Sequence, residues 1–256
     1  MDQPQDVTMS EGSPRLASFV PIGTIASSVE LPTVAWRMEA ARGSKVGLEI
    51  VVVPPAFGLI PILDSSLHFI GRRLASVGCA TTVLSFAGQY QNPGVFSVAK
   101  SCFELRLYIE RICGPFFLIG FCTGALASLA ATVDQSNAEG VFAWDLSARI
   151  RYCEPAITSL EKKYKMRFCP ETALLDLQAS QFVPFAKPPI LFGHPTQSYY
   201  TTSSEQVAMA QAARMGVARR FRDFGHFPGV PRGSERHFAE IIVDWVNGGW
   251  SGEAYA

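Results

Sequence analysis

The chain has 256 residues, 48% of them hydrophobic and 17% charged, and its 22 basic and 22 acidic side chains balance to a formal net charge of zero. That length supports one domain with a large core, and the balanced charge leaves no electrostatic footprint for nucleic acid or an anionic membrane. Residues 1–15 are polar and rich in Pro, Gln and Ser, which predicts a disordered start without the basic-then-apolar order of a secretory signal. The longest apolar stretch, Leu48 to Leu63, is broken by Pro54, Pro55, Gly58 and Pro61 and is not expected to span a membrane. A cytoplasmic location is expected.

Thr33–Ala40 and Val46–Val53 read as strands, the second a nearly continuous apolar run of the kind buried on both faces. Leu63–Val77 reads as a helix stopped at Gly78, and Ala80–Phe86 as the next strand. Ser97 is placed to cap a helix running to Cys113, with Val98, Cys102, Leu105, Ile109 and Ile112 on one face. The strand Pro115–Phe121 runs directly into an Ala-rich helix, Thr123–Val133. Strand Gly140–Asp145 follows, then Pro189–Gly193, helix Glu205–Met215, strand Ala218–Phe224 and the amphipathic helix Glu235–Val246.

Such alternation implies a mostly parallel sheet covered by helices on both faces, an α/β architecture. It is interrupted between Leu146 and Lys187, where a charged segment containing Glu161-Lys162-Lys163-Tyr164-Lys165 reads as helices. The expected organisation is a core of 16–145 and 188–256 with a helical lid, 146–187, inserted after the sixth strand of the fold. A peripheral crossover without function is the plain alternative.

Six cysteines (Cys79, Cys102, Cys113, Cys122, Cys153 and Cys169) form no Cys-x-x-Cys pair and no metal-ligand spacing. No metal and no dissociable cofactor is expected. Five of the six read as small apolar residues. Cys122 differs: Gly120-Phe121-Cys122-Thr123-Gly124 joins an apolar strand to a helix. At a helix N-terminus the macrodipole favours thiolate, and the Thr123 backbone N–H would face a developing oxyanion. A structural cysteine in a packing turn is the plain reading of two glycines four apart.

The Gly-x-Cys-x-Gly pattern between strand and helix resembles the nucleophile elbow of the α/β-hydrolase superfamily, with Cys in place of Ser. That resemblance places the general base at His226, in Phe224-Gly225-His226-Phe227-Pro228 after the last strand. His68 and His237 fall inside amphipathic helices, and His194 could line a pocket. The acid departs from the usual pattern, because Gly193-His194-Pro195-Thr196-Gln197 carries no carboxylate. Asp145, at the C-terminal tip of the sixth strand, is the candidate, with Glu205 and Asp223 as alternatives. Pro54 and Pro55 have no N–H to give, so Ala56 or Phe57 would be the second oxyanion donor beside Thr123. Phe57, Phe121, Trp144 and His194 are the candidate pocket walls.

The order Cys122, Asp145, His226, with an acid after the sixth strand and a lid, resembles the stand-alone Dieckmann cyclases of tetramate and pyridone antibiotic biosynthesis. The resemblance covers most of the chain at fold level and only the three triad positions specifically. It implies closure of a tetramate- or pyridone-type ring from a β-ketoacyl-aminoacyl thioester made by a polyketide–nonribosomal peptide synthetase. The chain would pass through an acyl-Cys intermediate, with a phosphopantetheinylated acyl or peptidyl carrier domain as partner. A thioesterase or dienelactone-type hydrolase would use the same three residues with water as acceptor, and a non-catalytic receptor would use the fold alone.

Overall fold

The structure, a computed structural model, describes residues 33–41, 48–135, 137–151, 154–169, 176–249 and 252–254. Residues 1–15, expected to be disordered, lie outside them. Among the described residues eight strands form one sheet in the order β1-β3-β2-β4-β5-β8-β9-β10. β2 (Leu48–Val53), β3 (Cys79–Ser85), β4 (Phe116–Phe121), β5 (Ala138–Trp144), β8 (Ile190–Pro195) and β9 (Gly216–Phe221) run parallel. The edge strands β1 (Thr33–Met38) and β10 (Glu253–Ala254) are antiparallel.

Parallel strands need crossovers, and helices supply them. α1 (Pro61–Ser76) and α6 (Glu235–Val246) pack together on one face, where Leu63, Leu67, Ile70 and Leu74 meet Phe238, Ile241, Ile242 and Trp245 in one core. α2 (Val98–Ile109) and α3 (Thr123–Ala131) cover the other face with Leu105, Ile109, Leu126 and Leu129. Ser97 caps α2 by accepting from the Lys100 N–H at 3.4 Å. β3, β4 and β8 are buried throughout, and β2 and β5 at all but one position each, which is why they read as apolar runs rather than alternations.

α5 (Ser203–Ala212) begins two residues before the expected position. Thr202 and Glu205 form a reciprocal capping box: Glu205 N–H donates to Thr202 Oγ1 at 3.3 Å, and Thr202 N–H donates to Glu205 Oε2 at 2.8 Å. β10, only two residues long, has no periodic pattern to announce it.

Segment 146–187 is not wholly helical. It holds β6 (Arg149–Arg151) and β7 (Asp176–Gln178), paired antiparallel, around α4 (Glu154–Tyr164) and followed by a short 3₁₀ turn, Ala179–Gln181. Three-residue strands are too short for a period-two signal, so the sequence showed only the helix. The segment is tied down through its backbone: Phe96 N–H donates to Arg167 O at 2.6 Å, and Cys169 N–H to Phe96 O at 2.8 Å. Ile157, Leu160 and Tyr164 of α4 lean on the core.

Candidate active site

The elbow is built by close approach. A β-carbon on Gly120 would stand 2.4 Å from Ala125 Cα, and one on Gly124 would stand 2.3 Å from Val53 O. Only glycine lets α3 start immediately behind β4. Cys122, between them, is the N-cap of α3 with φ +53° and ψ −114°. Such a backbone costs of order 1–3 kcal/mol in a non-glycine residue and persists only where its surroundings impose it. Here the Cys122 N–H donates to Trp144 O at 3.0 Å, and its carbonyl accepts from Ala125 N–H at 3.0 Å.

Asp145 follows β5, also with positive φ, +50°. Its backbone N–H donates to Gly193 O at 2.8 Å, and Gln206 of α5 donates through Nε2 to Leu146 O at 2.7 Å. The Asp145 side chain has no exposed surface, so its charge needs protein donors. It has three: His226 Nδ1 and Ser198 Oγ both meet Oδ2, and Thr201 Oγ1 donates to Oδ1 at 2.6 Å.

His226 sits in the loop between β9 and α6. Trp144 Nε1 donates to the His226 carbonyl at 3.0 Å, and Gly225 N–H donates to Val230 O at 2.6 Å, closing the loop on itself. Burial alone would push the imidazolium down. Hydrogen bonds to the Asp145 carboxylate and the Cys122 sulfur, with the charges of both, outweigh it and raise the pKa to about 9. The structure therefore brings Cys122, His226 and Asp145 together, with His226 Nδ1 bonded to the Asp145 carboxylate and the Cys122 sulfur near enough to favour the imidazolium. Burial pushes the Cys79 thiol up and desolvation carries that of Cys102 to about 12, so neither has comparable surroundings.

The other candidates fall as follows. Ala56 is buried, and the backbone N–H groups of Ala56, Phe57 and Thr123 donate to nothing among the described residues. The Thr123 hydroxyl is buried with no partner there either. Phe57 stacks on Tyr164 of α4 with centroids 4.8 Å apart and meets Phe227 edge-on at 5.2 Å. Phe121 and Trp144, by contrast, have no exposed surface and belong to the aromatic core under the site. Trp144 packs on Phe142, Phe221, Phe224 and Phe238. His194 is buried, its Nδ1 3.3 Å from Ser203 Oγ; burial, opposed by the Asp145 charge, lowers its pKa.

Glu205 is taken up by the α5 cap, and Asp223 turns the chain after β9 with φ +62°. The carboxylate on His226 is that of Asp145. His68 stacks on Trp36 at 4.2 Å and His237 packs on Phe224 at 5.2 Å. Two surface clefts, one lined by Arg37, Glu49 and Tyr108 and one by Arg220, His237 and Glu240, contain none of the three linked side chains. Among the described residues no His, Cys, Asp or Glu cluster is arranged to hold a metal ion, and no helix is long and apolar enough to cross a membrane.

Sequence reasoning missed Ser198, Tyr200 and Thr201. Tyr200 lies over His226 with centroids 4.4 Å apart. The available signal was position: these residues occupy the loop after β8, where the superfamily usually carries its acid.

Strand order, elbow and histidine loop together decide the architecture. The chain has the α/β-hydrolase fold. Est1E from Butyrivibrio proteoclasticus, solved with ferulic acid, superposes with a TM-score of 0.61 at 11% identity, covering 83% of this chain and 93% of that one. The α/β-hydrolase GrgF from Penicillium sp. sh18 gives 0.62 at 12%, covering 84% and 93%. The enol-lactonase from Burkholderia xenovorans LB400 gives 0.60 at 13%, covering 83% and 96%. No family model and no curated protein matches the sequence.

Proposed function

We propose that the chain is a chain-releasing Dieckmann cyclase, in which Cys122 is the nucleophile, His226 the acid–base and Asp145 the partner that orients it. The observation that carries this reading is the buried Asp145 carboxylate bonded to the His226 imidazole, with the Cys122 sulfur beside that ring and the imidazolium favoured up to about 9. The thiolate is the reactive form of cysteine.

Cys122 attacks a carrier-bound thioester carbonyl. The oxyanion faces the N–H groups of Thr123 and of Ala56 or Phe57. The tetrahedral adduct collapses with the C–S bond to phosphopantetheine breaking, and the imidazolium gives its proton to the departing thiolate. One thioester has replaced another, at little thermodynamic cost. Neutral His226 then removes the proton from the carbon between ketone and amide carbonyls. That carbanion attacks the acyl-Cys carbonyl, a C–C bond closes the five-membered ring, and the Cys122 thiolate leaves. Tethering both ends to one chain supplies the effective concentration.

Segment 146–187 acts as a lid on this reading. The Tyr164–Phe57–Phe227 aromatic series joins α4 to the proposed oxyanion loop and to the His226 loop, and water kept from the acyl-Cys cannot hydrolyse it. Hydrolysis is the second reading: the same three residues serve a thioesterase or lactonase when water reaches the acyl-Cys.

The test incubates the protein with a β-ketoacyl-aminoacyl thioester and weighs the products, alongside Cys122→Ala. The expected product is lighter than the free acid by one water and absent with the variant. Free acid alone would assign hydrolysis and overturn cyclisation.

A further inference from the structure

We infer that Ser198 and Thr201 are positioning residues for the Asp145 carboxylate: the loop after β8 supplies two hydroxyl donors that fix an acid carried by the neighbouring strand. The inference rests on Asp145 being the acid partner of His226.

The hydroxyls reach both carboxylate oxygens. Thr201 Oγ1 donates to Oδ1 at 2.6 Å, and Ser198 Oγ donates to Oδ2, the oxygen that also receives His226 Nδ1. Ser198 Oγ accepts from the Tyr200 N–H at 3.2 Å, which leaves its own proton for the carboxylate. The loop itself is held: Thr196 N–H donates to Phe221 O at 3.0 Å and Gln197 N–H to Phe224 O at 2.9 Å. A carboxylate on a fixed backbone can still turn about its last torsion. Donors on both oxygens stop that rotation and keep Oδ2 aimed at the imidazole.

The titratable and charged groups around Asp145 come from every neighbouring element. His226 faces it from the β9–α6 loop with Cys122 beyond. His194 faces it from β8, and that imidazole in turn feels Arg220 of β9 and Glu205 of α5. Tyr200 lies over the His226 ring. His226 bonds to the carboxylate through Nδ1, so a turned carboxylate registers as a weakened grip on the imidazolium.

The experiment follows the His226 imidazole by nitrogen NMR across a pH titration of the 256-residue chain. Four variants are compared with the unaltered chain: Thr201→Val, Ser198→Ala, Thr201→Ser and Asp145→Asn. Thr201→Val keeps the side-chain shape and removes the hydroxyl; it and Ser198→Ala should each lower the midpoint, by less than Asp145→Asn does, because the carboxylate stays and only its aim at the imidazole is lost. Thr201→Ser, which keeps the hydroxyl, should titrate like the unaltered protein. Should Thr201→Val fail to fold, Ser198→Ala still decides.

If Asp145→Asn lowers the midpoint while Thr201→Val and Ser198→Ala leave it in place, the hydroxyls are packing only and the inference is overturned. If Asp145→Asn also leaves it in place, the acid assignment itself fails, and the inference with it.

Discussion

The His226 imidazolium is where one residue's chemistry becomes a property of the molecule. Its pKa of about 9 stands above the ordinary 6.5. A proton held more tightly when folded stabilises the fold fully below the unfolded value and less as pH rises through the folded one. Thermal stability should therefore decline between about 6.5 and 9, and Asp145→Asn, which removes the carboxylate on Nδ1, should flatten that decline. A curve of unchanged slope in the variant would remove the imidazolium from the account. The same substitution should cut acyl-transfer turnover by about a thousandfold or more, since an amide can hold the imidazole in the wrong tautomer. Cys122→Ser should retain weak turnover, and full activity there would mean that thiol chemistry is not required.

Residues on the site were unequally legible. Cys122 and His226 stand in short patterns with their own physical demands, a glycine-flanked turn and a loop after the last strand. Asp145 was readable because the β8 loop has no carboxylate. Phe121 and Trp144, expected as pocket walls, both lie in the core beneath. Adjacent residues of a strand point to opposite faces, and sequence alone does not say which face holds the cavity. Ser198 and Thr201 gave no signal of their own, because two hydroxyls in a polar loop acquire meaning only when a buried carboxylate from another strand arrives beside them.

At the scale of elements, the β4–α3 junction sets the geometry of Cys122, the proposed nucleophile. Gly124→Ala places a β-carbon against the Val53 and Pro54 carbonyls, both within 2.4 Å, and should destabilise the fold by about 3 kcal/mol. Chemical unfolding reads this directly, and an unchanged midpoint would mean that the elbow yields. The long strands and amphipathic helices were legible because burial on two faces, or on one stripe, leaves a periodic trace. The β6–β7 pair was not: three residues a side carry no period, and α4 with its charges dominates the composition of that segment.

For the whole molecule, the proposal turns on what would happen to an acyl group carried by Cys122. Tyr164→Ala removes the ring that joins α4 to Phe57 and, on the proposed reading, should raise the share of hydrolysed over cyclised product severalfold; an unaltered ratio would remove the proposed lid role of segment 146–187. The most direct measurement uses a β-ketoacyl-aminoacyl thioester whose carbon between the two carbonyls bears two methyl groups, so that no carbanion can form. Intact-protein mass spectrometry should then show one acyl group per chain, mapped to Cys122 and long-lived. Rapid release of free acid without an accumulating adduct would contradict the cyclase account in favour of hydrolysis, and an adduct elsewhere, or none, would contradict the role of Cys122 itself.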